Sequence, residues 1–266
     1  MAILEVKDLC FSYGDHQVLN HLSFQMNEGD FVCILGKNGC GKSTLLQVIL
    51  GILKAQSGSI LLYGDDVYKL SERELAKKVA YIPQSHVPPF PFSVMDVVLM
   101  GRTPHMSRTF NCTQEDRDIA FSALETMGIE SYADRVYTHL SGGERQMVII
   151  ARAIAQQSDI LIMDEPTASL DFFNQYRVLS QMIKLSKKKK SILMVTHNPD
   201  HATYCANHVV AMADGTIVGD GSVDEVITEP VLRNIYGMDI RVRDVPMDDK
   251  HNVRVCIPGT NEFDAE

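Results

Sequence analysis

The chain has 266 residues, 45% hydrophobic and 22% charged, with a formal net charge of −9. That balance belongs to a folded globular protein, and the acidic excess speaks against a general nucleic-acid binder, which carries a basic surface. No apolar run approaches the roughly 18 residues of a membrane span, "MAILEVKDLC" lacks a signal-peptide layout, and the six cysteines show no C-x-x-C pairing, so a cytosolic protein with neither disulfide framework nor zinc site is expected.

Residues 3–35 alternate apolar and polar side chains ("ILEVKDLCFSY", "HLSFQM"), which predicts half-exposed antiparallel strands. The run Phe31–Leu35 is instead continuously apolar, as a strand covered on both faces should be. It leads into "GKNGCGKST", residues 36–44, where Gly36, Gly41, Lys42 and Ser43 meet the pattern G-x-x-x-x-G-K-[ST]. Glycines let the chain curl so that successive backbone N–H groups face an anion. The whole run Gly36, Lys37, Asn38, Gly39, Cys40, Gly41, Lys42, Ser43 and Thr44 is therefore expected to cradle a nucleoside triphosphate. Lys42 would reach the β- and γ-phosphates and the Ser43 hydroxyl would ligate Mg²⁺. A helix from about Ser43 through "LLQVILGIL" aims its positive end at the phosphates. Cys40, beside Lys42 and a helix N-terminus, is expected to favour the thiolate and to alkylate faster than a core cysteine.

"SGSILLYGDDV" predicts another antiparallel strand, and "SERE" (71–74) a helix-capping box. Three more continuous apolar runs, Val79–Ile82, Ile160–Met163 and Ile192–Val195, end in Gln84, Asp164-Glu165 and Thr196-His197. Ligands in open parallel sheets bind at the carboxyl ends of strands, so four strands deliver polar groups to one edge. Between Gln84 and Ile160 the pattern turns helical, with a second capping box at "TQED" (113–116). In "LSGGERQ" (140–146), Ser141 and Glu144 cap a helix running to about Ser158, whose buried face is Met147, Ile150, Ala151, Ile154 and Ala155. Gly142 and Gly143 in its first turn make a second anion-binding end. Asp164 is suited to an Mg²⁺ shell, and Glu165 to polarising a water. Lys187–Lys190 is expected to be a solvated turn, and the chain beyond 238 a polar appendage with one alternating stretch, "VRVCI".

These motifs together resemble the ATP-binding subunits of ABC transporters. The matching segments are "GKNGCGKST" (Walker A), Gln84 (Q-loop), "LSGGE" (signature), "ILIMDE" (Walker B), "ASLD" (D-loop) and His197 (H-loop), in the family's order over residues 3–237. The resemblance implies an α/β fold: a P-loop NTPase core with a mainly parallel sheet, an N-terminal antiparallel β subdomain, and a helical insertion, about 86–158, that carries LSGGE. Residues 238–266 are left as a small C-terminal appendage. It further implies that Tyr13 stacks on adenine, that Glu165 is the general base, and that His197 and Lys42 stabilise γ-phosphate charge. Mg²⁺ would be held by Ser43, Gln84 and Asp164. Ser141, Gly142, Gly143 and Asp171 would act across a head-to-tail pair of copies. The implied partners are that second copy, two transmembrane permease subunits and, indirectly, a substrate-binding protein, with no nucleic acid; the implied place is peripheral, on the cytoplasmic side of the cell membrane. "FSVMDVVLMGRTPHM" (92–106) resembles importers of metal chelates: siderophore-bound iron, haem, cobalamin and molybdate. The alternatives are a non-transport ABC ATPase with a soluble or nucleic-acid partner, which usually carries a coiled-coil insertion or two fused ATPase units absent here, and a module that holds ATP without turnover, against which Glu165 and His197 both speak.

Overall fold

The computed structural model describes residues 2–84, 90–106, 112–246 and 252–259. The expected start of the helical insertion at residue 86, and residues 247–251 and 260–266 of the tail, lie outside these. The chain divides into two units, Met1–Lys69 with Leu193–Glu266, and Leu70–Ile192.

The first unit begins with β1 (Ala2–Tyr13) and β2 (His16–Asn27), an antiparallel pair closed by a turn with Tyr13 opposite His16. In β2 the buried Leu22, Phe24 and Met26 alternate with exposed residues, as a strand with one solvated face requires. After β3 (Phe31–Leu35) and α1 (Lys42–Ile49), β4 (Ser57–Leu62) returns to pair with β1, and the short β5 (Asp65–Asp66) completes an antiparallel sheet in the order β2-β1-β4-β5. All five residues of β3 are buried, which its unbroken apolar sequence demands. Helix α1 is shorter than "LLQVILGIL" suggests. It stops at Ile49 because Gly51 takes a left-handed φ of +68°, and the amides of Ile52 and Leu53 both turn back to the Gln47 carbonyl.

The second unit holds α2 (Glu72–Lys78), β6 (Val79–Ile82), α3 (Val94–Leu99), α4 (Gln114–Met127), α5 (Gly142–Ala155), β7 (Ile160–Asp164) and α6 (Phe172–Lys187). Strands β6 and β7 are parallel, with Val79 opposite Ile160 and Ile82 opposite Met163. Ser71, Thr113 and Ser141 each form the expected reciprocal box with the acidic residue three places on. Helix α5 departs from expectation in two ways. It ends at Ala155 rather than Ser158, because Gln157 turns left-handed (φ +55°), while the Gln156 side-chain Nε2 reaches out to donate to the Val79 carbonyl at 2.8 Å. Its buried surface is also wider: Val148, Ile149 and Ala153 are buried while Ile154 is only half-buried, since α3, α4 and β6 all pack on it. The basic run is not uniformly solvated either. Lys187, Lys188 and Lys189 are exposed, but Lys190 is half-buried and donates to the Ser158 carbonyl, and burial pulls its pKa down.

The chain returns to the first unit within β8 (Ser191–Thr196), then forms α7 (Pro199–Cys205), β9 (His208–Ala213), β10 (Thr216–Gly221), α8 (Val223–Val226), α9 (Glu229–Tyr236), β11 (Ile240–Pro246) and β12 (Asn252–Pro258). Here the strands follow the order β10-β9-β3-β8, with β3 and β9 parallel and β9 and β10 antiparallel, so that the architecture is α/β with a mixed sheet beside the N-terminal antiparallel one. The polar tail is more ordered than its composition suggests: β11 and β12 form a hairpin with Ile240 opposite Pro258, and β12 packs on α7. Among the described residues no helix is long and apolar enough to cross a membrane.

Candidate functional site

In the first unit the loop between β3 and α1 closes on itself. The Lys42 ammonium is buried and donates to the carbonyls of Gly36 and Lys37, at 2.8 and 2.9 Å. Gly41, at φ +102°, sets the start of α1, and no side chain caps that helix end. Its first-turn amides therefore face outward with the dipole's positive end, the arrangement a phosphate needs. Gly36 is fixed by space: a Cβ there would lie 2.6 Å from Cys40 Sγ and 2.7 Å from the Met212 carbonyl. Ser43 is exposed and Thr44 half-buried; Lys37, Asn38 and Gly39 form the exposed rim, with Lys37 paired to Asp214 at 3.1 Å.

Cys40 departs from the sequence-based expectation. Its thiol is 3% exposed, and burial pushes its pKa up more strongly than the neighbouring Lys42 and Lys37 pull it down. The sulfur fills the space beside Gly36 and is not an activated nucleophile.

Tyr13, at the end of β1, is half exposed, packs edge-on against Phe11 (4.9 Å between ring centroids) and donates to Gln47 Oε1 at 3.5 Å. His197 follows the last buried residue of β8 and is exposed. Its carbonyl accepts a 2.7 Å hydrogen bond from the Tyr236 hydroxyl. Asn198, the next residue, caps α7 by accepting from the Asp200 amide at 2.9 Å. His201, one turn into α7, is buried, and burial followed by the nearby His197 lowers its pKa.

In the second unit the ends of β6 and β7 bring together Gln84 and Glu165: Gln84 Nε2 donates to Glu165 Oε2 at 3.3 Å. Asp164 is buried at the last position of β7, and burial, followed by that carboxylate, pushes the Tyr81 phenol up to about 12. Glu165 takes a left-handed φ of +46°, which turns the backbone just after Asp164. For a residue with a long side chain that conformation costs energy, and such strain clusters at functional positions.

Also in this unit, Ser141 caps α5: its amide donates to Glu144 Oε2 at 2.8 Å, its hydroxyl accepts from the Glu144 amide, and these bonds hold the Glu144 carboxyl below the usual range. A Cβ at Gly143 would lie 3.2 Å from Leu170 Cδ2, whereas one at Gly142 would meet nothing within 4 Å. Asp171 caps α6 by accepting from the Asn174 amide at 2.8 Å. In "FSVMDVVLMGRTPHM", Val94, Val97, Val98, Leu99, Gly101 and Arg102 are buried, and Arg102 pairs with Asp116 at 3.0 Å. Most of that stretch is core of its own unit. Sequence reasoning missed Tyr236 and Lys37–Asp214, whose partners lie far apart in the chain and leave no local pattern.

The family model for the ABC transporter matches residues 19–168. An ABC transporter ATP-binding protein of Haemophilus influenzae is 40% identical over 236 residues, covering 89% of this chain and 90% of that protein. The iron(3+)-hydroxamate import ATP-binding protein FhuC of Bacillus subtilis is 35% identical, covering 97% and 95%. Among solved structures, a chain of an inward-facing ABC transporter assigned to the metal-chelate type superposes with a TM-score of 0.88 at 30% identity, covering 99% of this chain and 100% of that one. With this phosphate loop, strand-end carboxylates and capped signature helix, and with these matches over most of its length, the chain belongs to the ABC transporter family as one of its ATP-binding subunits, an ATPase coupled to transport.

Proposed function

We propose that this ATPase powers import of a metal chelate, with siderophore-bound iron the favoured cargo, as a head-to-tail pair of copies beneath two permease subunits supplied by a substrate-binding protein. The cargo reading is supported by FhuC and by the metal-chelate type transporter, which match nearly the whole chain. The observation that carries the hydrolytic reading is the Gln84–Glu165 contact beside a left-handed turn. It holds the Glu165 carboxylate with a neutral amide rather than a cation, as a base that must take a proton from water requires.

In this reading the amides of residues 37–44 and the Lys42 ammonium take the phosphates, Lys42 exchanging its loop carbonyls for phosphate oxygens. Tyr13 offers a ring face to adenine. Glu165 accepts a proton from water as the water oxygen bonds to the γ-phosphorus, the bond from that phosphorus to the β,γ-bridging oxygen breaks, and ADP departs. His197 donates to the γ-phosphate and steadies its charge. The Ser43 hydroxyl, the Asp164 carboxylate and the Gln84 amide oxygen are all oxygen donors, the set a hard Mg²⁺ accepts, and would hold that ion, which neutralises phosphate charge when bound. With its Nε2 given to Glu165, Gln84 presents oxygen as its remaining polar atom. Ser141, Gly142, Gly143 and Asp171 meet the partner copy's nucleotide, and closure of the pair is a population shift driven by ATP contacts made only in the closed state.

The test replaces the chain by its Glu165→Gln variant in cells. ATP binding should persist while turnover falls at least about a hundredfold, the lower bound for losing an acid–base group. Uptake of iron-loaded hydroxamate should cease while molybdate uptake continues. Near-normal hydrolysis would overturn the role of Glu165, and intact hydroxamate uptake beside lost molybdate uptake would overturn the cargo.

A further inference from the structure

We propose that Tyr236 and the C-terminal hairpin β11–β12 hold the loop bearing His197, making Tyr236 a positioning residue for ATP hydrolysis and giving the tail a role in the site. The inference rests on the γ-phosphate role proposed for His197.

His197 sits on the two-residue connection between β8 and α7, and two separate elements hold that connection and the helix start after it. From one side, the Tyr236 hydroxyl donates to the His197 carbonyl at 2.7 Å. Tyr236 is the last residue of α9, a helix anchored by the buried Leu232 and Ile235 and ended by Gly237 at φ +72°. Burial above all, then the nearby Cys256, Cys40 and Asp200, push the Tyr236 phenol well up, so it remains a hydrogen-bond donor at every working pH. From the other side, the Cys256 amide of β12 donates to Asp200 Oδ1 at 3.0 Å, in the first turn of α7. The hairpin is in turn tied down: Arg254 meets Asp244 at 2.9 Å and Asp224 at 2.6 Å, while Arg241 and Arg243 meet Glu229 at 3.1 and 3.0 Å. Helix α9 and the hairpin thus form a brace whose two contacts fall at His197 and three residues beyond it.

The carbonyl that Tyr236 holds belongs to the His197–Asn198 peptide, so its hydrogen bond fixes the backbone from which the imidazole projects. The amide of the same peptide donates to Thr196 Oγ1 at 3.0 Å, so the phenol and Thr196 together hold its two polar ends. Without the phenol the peptide keeps only its Thr196 tether, so it can tilt about that bond while α7 stays folded, and an exposed imidazole then samples directions that miss a γ-phosphate. Positioning of this kind affects the chemical step more than nucleotide binding, because small displacements of a catalytic group cost rate.

Steady-state ATPase measurements on the full chain test this. Tyr236→Phe keeps the ring and loses only the hydroxyl, so kcat should fall about tenfold, the equivalent of one hydrogen bond, with KM within about twofold and the unfolding free energy lower by no more than that one hydrogen bond contributes. Asp200→Ala should reproduce the kcat loss, and Asp200→Asn, which keeps an acceptor for the Cys256 amide, should restore it. His197→Ala should be far slower, and adding Tyr236→Phe to it should cost nothing more, since the phenol acts through the histidine. Wild-type kcat in Tyr236→Phe beside an inactive His197→Ala would overturn the brace alone. A further tenfold loss in the double variant would show that Tyr236 acts elsewhere. Full activity in His197→Ala would overturn the role of the histidine and the brace with it.

Discussion

The ammonium of Lys42, held by two loop carbonyls, and the thiol of Cys40, lodged beside Gly36, make the phosphate loop a packed object. A thiol so enclosed meets alkylating reagents only when the loop opens, and burial also keeps it protonated. Cys112, by contrast, is exposed. Maleimide should therefore label Cys112 first with ATPase activity intact, and Cys40 should react at a comparable rate only in denaturant. Time-resolved mass mapping of the adducts decides it, and early labelling of Cys40 in the folded chain would refute the burial argument. Gly36→Ala gives a second check. Its new methyl meets a sulfur that can move and the Met212 carbonyl, which cannot. Overpacking of this sort costs about 1–3 kcal/mol. Combining Gly36→Ala with Cys40→Ala should recover only part of that loss in urea titrations, because the clash with the Met212 carbonyl survives; full recovery would show that the sulfur was the whole obstacle.

Helix α4 begins at a capping box whose acid also serves as a buried counter-ion. Asp116 receives the Thr113 amide at 3.1 Å and the Arg102 guanidinium at 3.0 Å, and both it and Arg102 are buried. Arg102 donates further to the Ala155 carbonyl at 2.9 Å, joining the end of α3 to the end of α5. The Thr113 bonds first, then Arg102, hold the Asp116 carboxyl below its ordinary range. A depressed folded-state pKa contributes stability above the unfolded value, about 3.9, and that contribution is lost as pH falls through the folded value. Asp116→Ala leaves a buried guanidinium uncompensated and should cost about 3 kcal/mol at pH 7. The deficit against wild type should begin to shrink below about pH 4, where the unfolded wild-type chain takes up the proton, and shrink further as pH falls toward the lower folded value. Equal deficits at pH 7 and pH 3 would refute the charge argument. The sequence displayed some of this and not the rest. Ser71, Thr113 and Ser141 announced their helices because a capping box is complete within four residues, and Phe31–Leu35 announced a doubly covered strand because nothing polar interrupts it. The closed space at Gly36 depends on Met212, the half-burial of Lys190 on Ser158, and the grip on His197 on Tyr236, all distant in sequence. The early end of α1 is marked in the sequence by Gly51, but the apolar Ile52 and Leu53 beyond it read as a continuing helix face.

At the scale of the whole molecule, the signature glycines differ in a way one copy does not explain. Gly143 has its own chain's reason to lack a side chain, a Cβ contact of 3.2 Å with Leu170, but a Cβ at Gly142 would stand in open space. Helix α5 would be more stable with almost any other residue at its exposed first position, since glycine costs up to about 1 kcal/mol in a helix. A glycine retained there against propensity fits close approach by something outside the chain, which the proposed pair supplies as the partner's nucleotide. Two chains of net charge −9 repel each other, so association must come from local contacts and should strengthen as salt screens the repulsion, with a Debye length of about 10 Å at 0.1 M. The Glu165→Gln chain, whose turnover the proposed base role makes slow, should therefore shift from monomer to dimer mass in light scattering when MgATP is added, and further when ionic strength rises from about 0.01 to 0.1 M. Adding Gly142→Asp should abolish the dimer by placing bulk and negative charge against the partner's phosphates. It should leave nucleotide binding by the monomer intact and the unfolding free energy within about 0.5 kcal/mol, because the new side chain meets nothing in its own chain and an acid suits a helix N-terminus. A Gly142→Asp chain that still doubles its mass with MgATP would refute the trans contact, and one that no longer folds would refute the open space on which the argument stands.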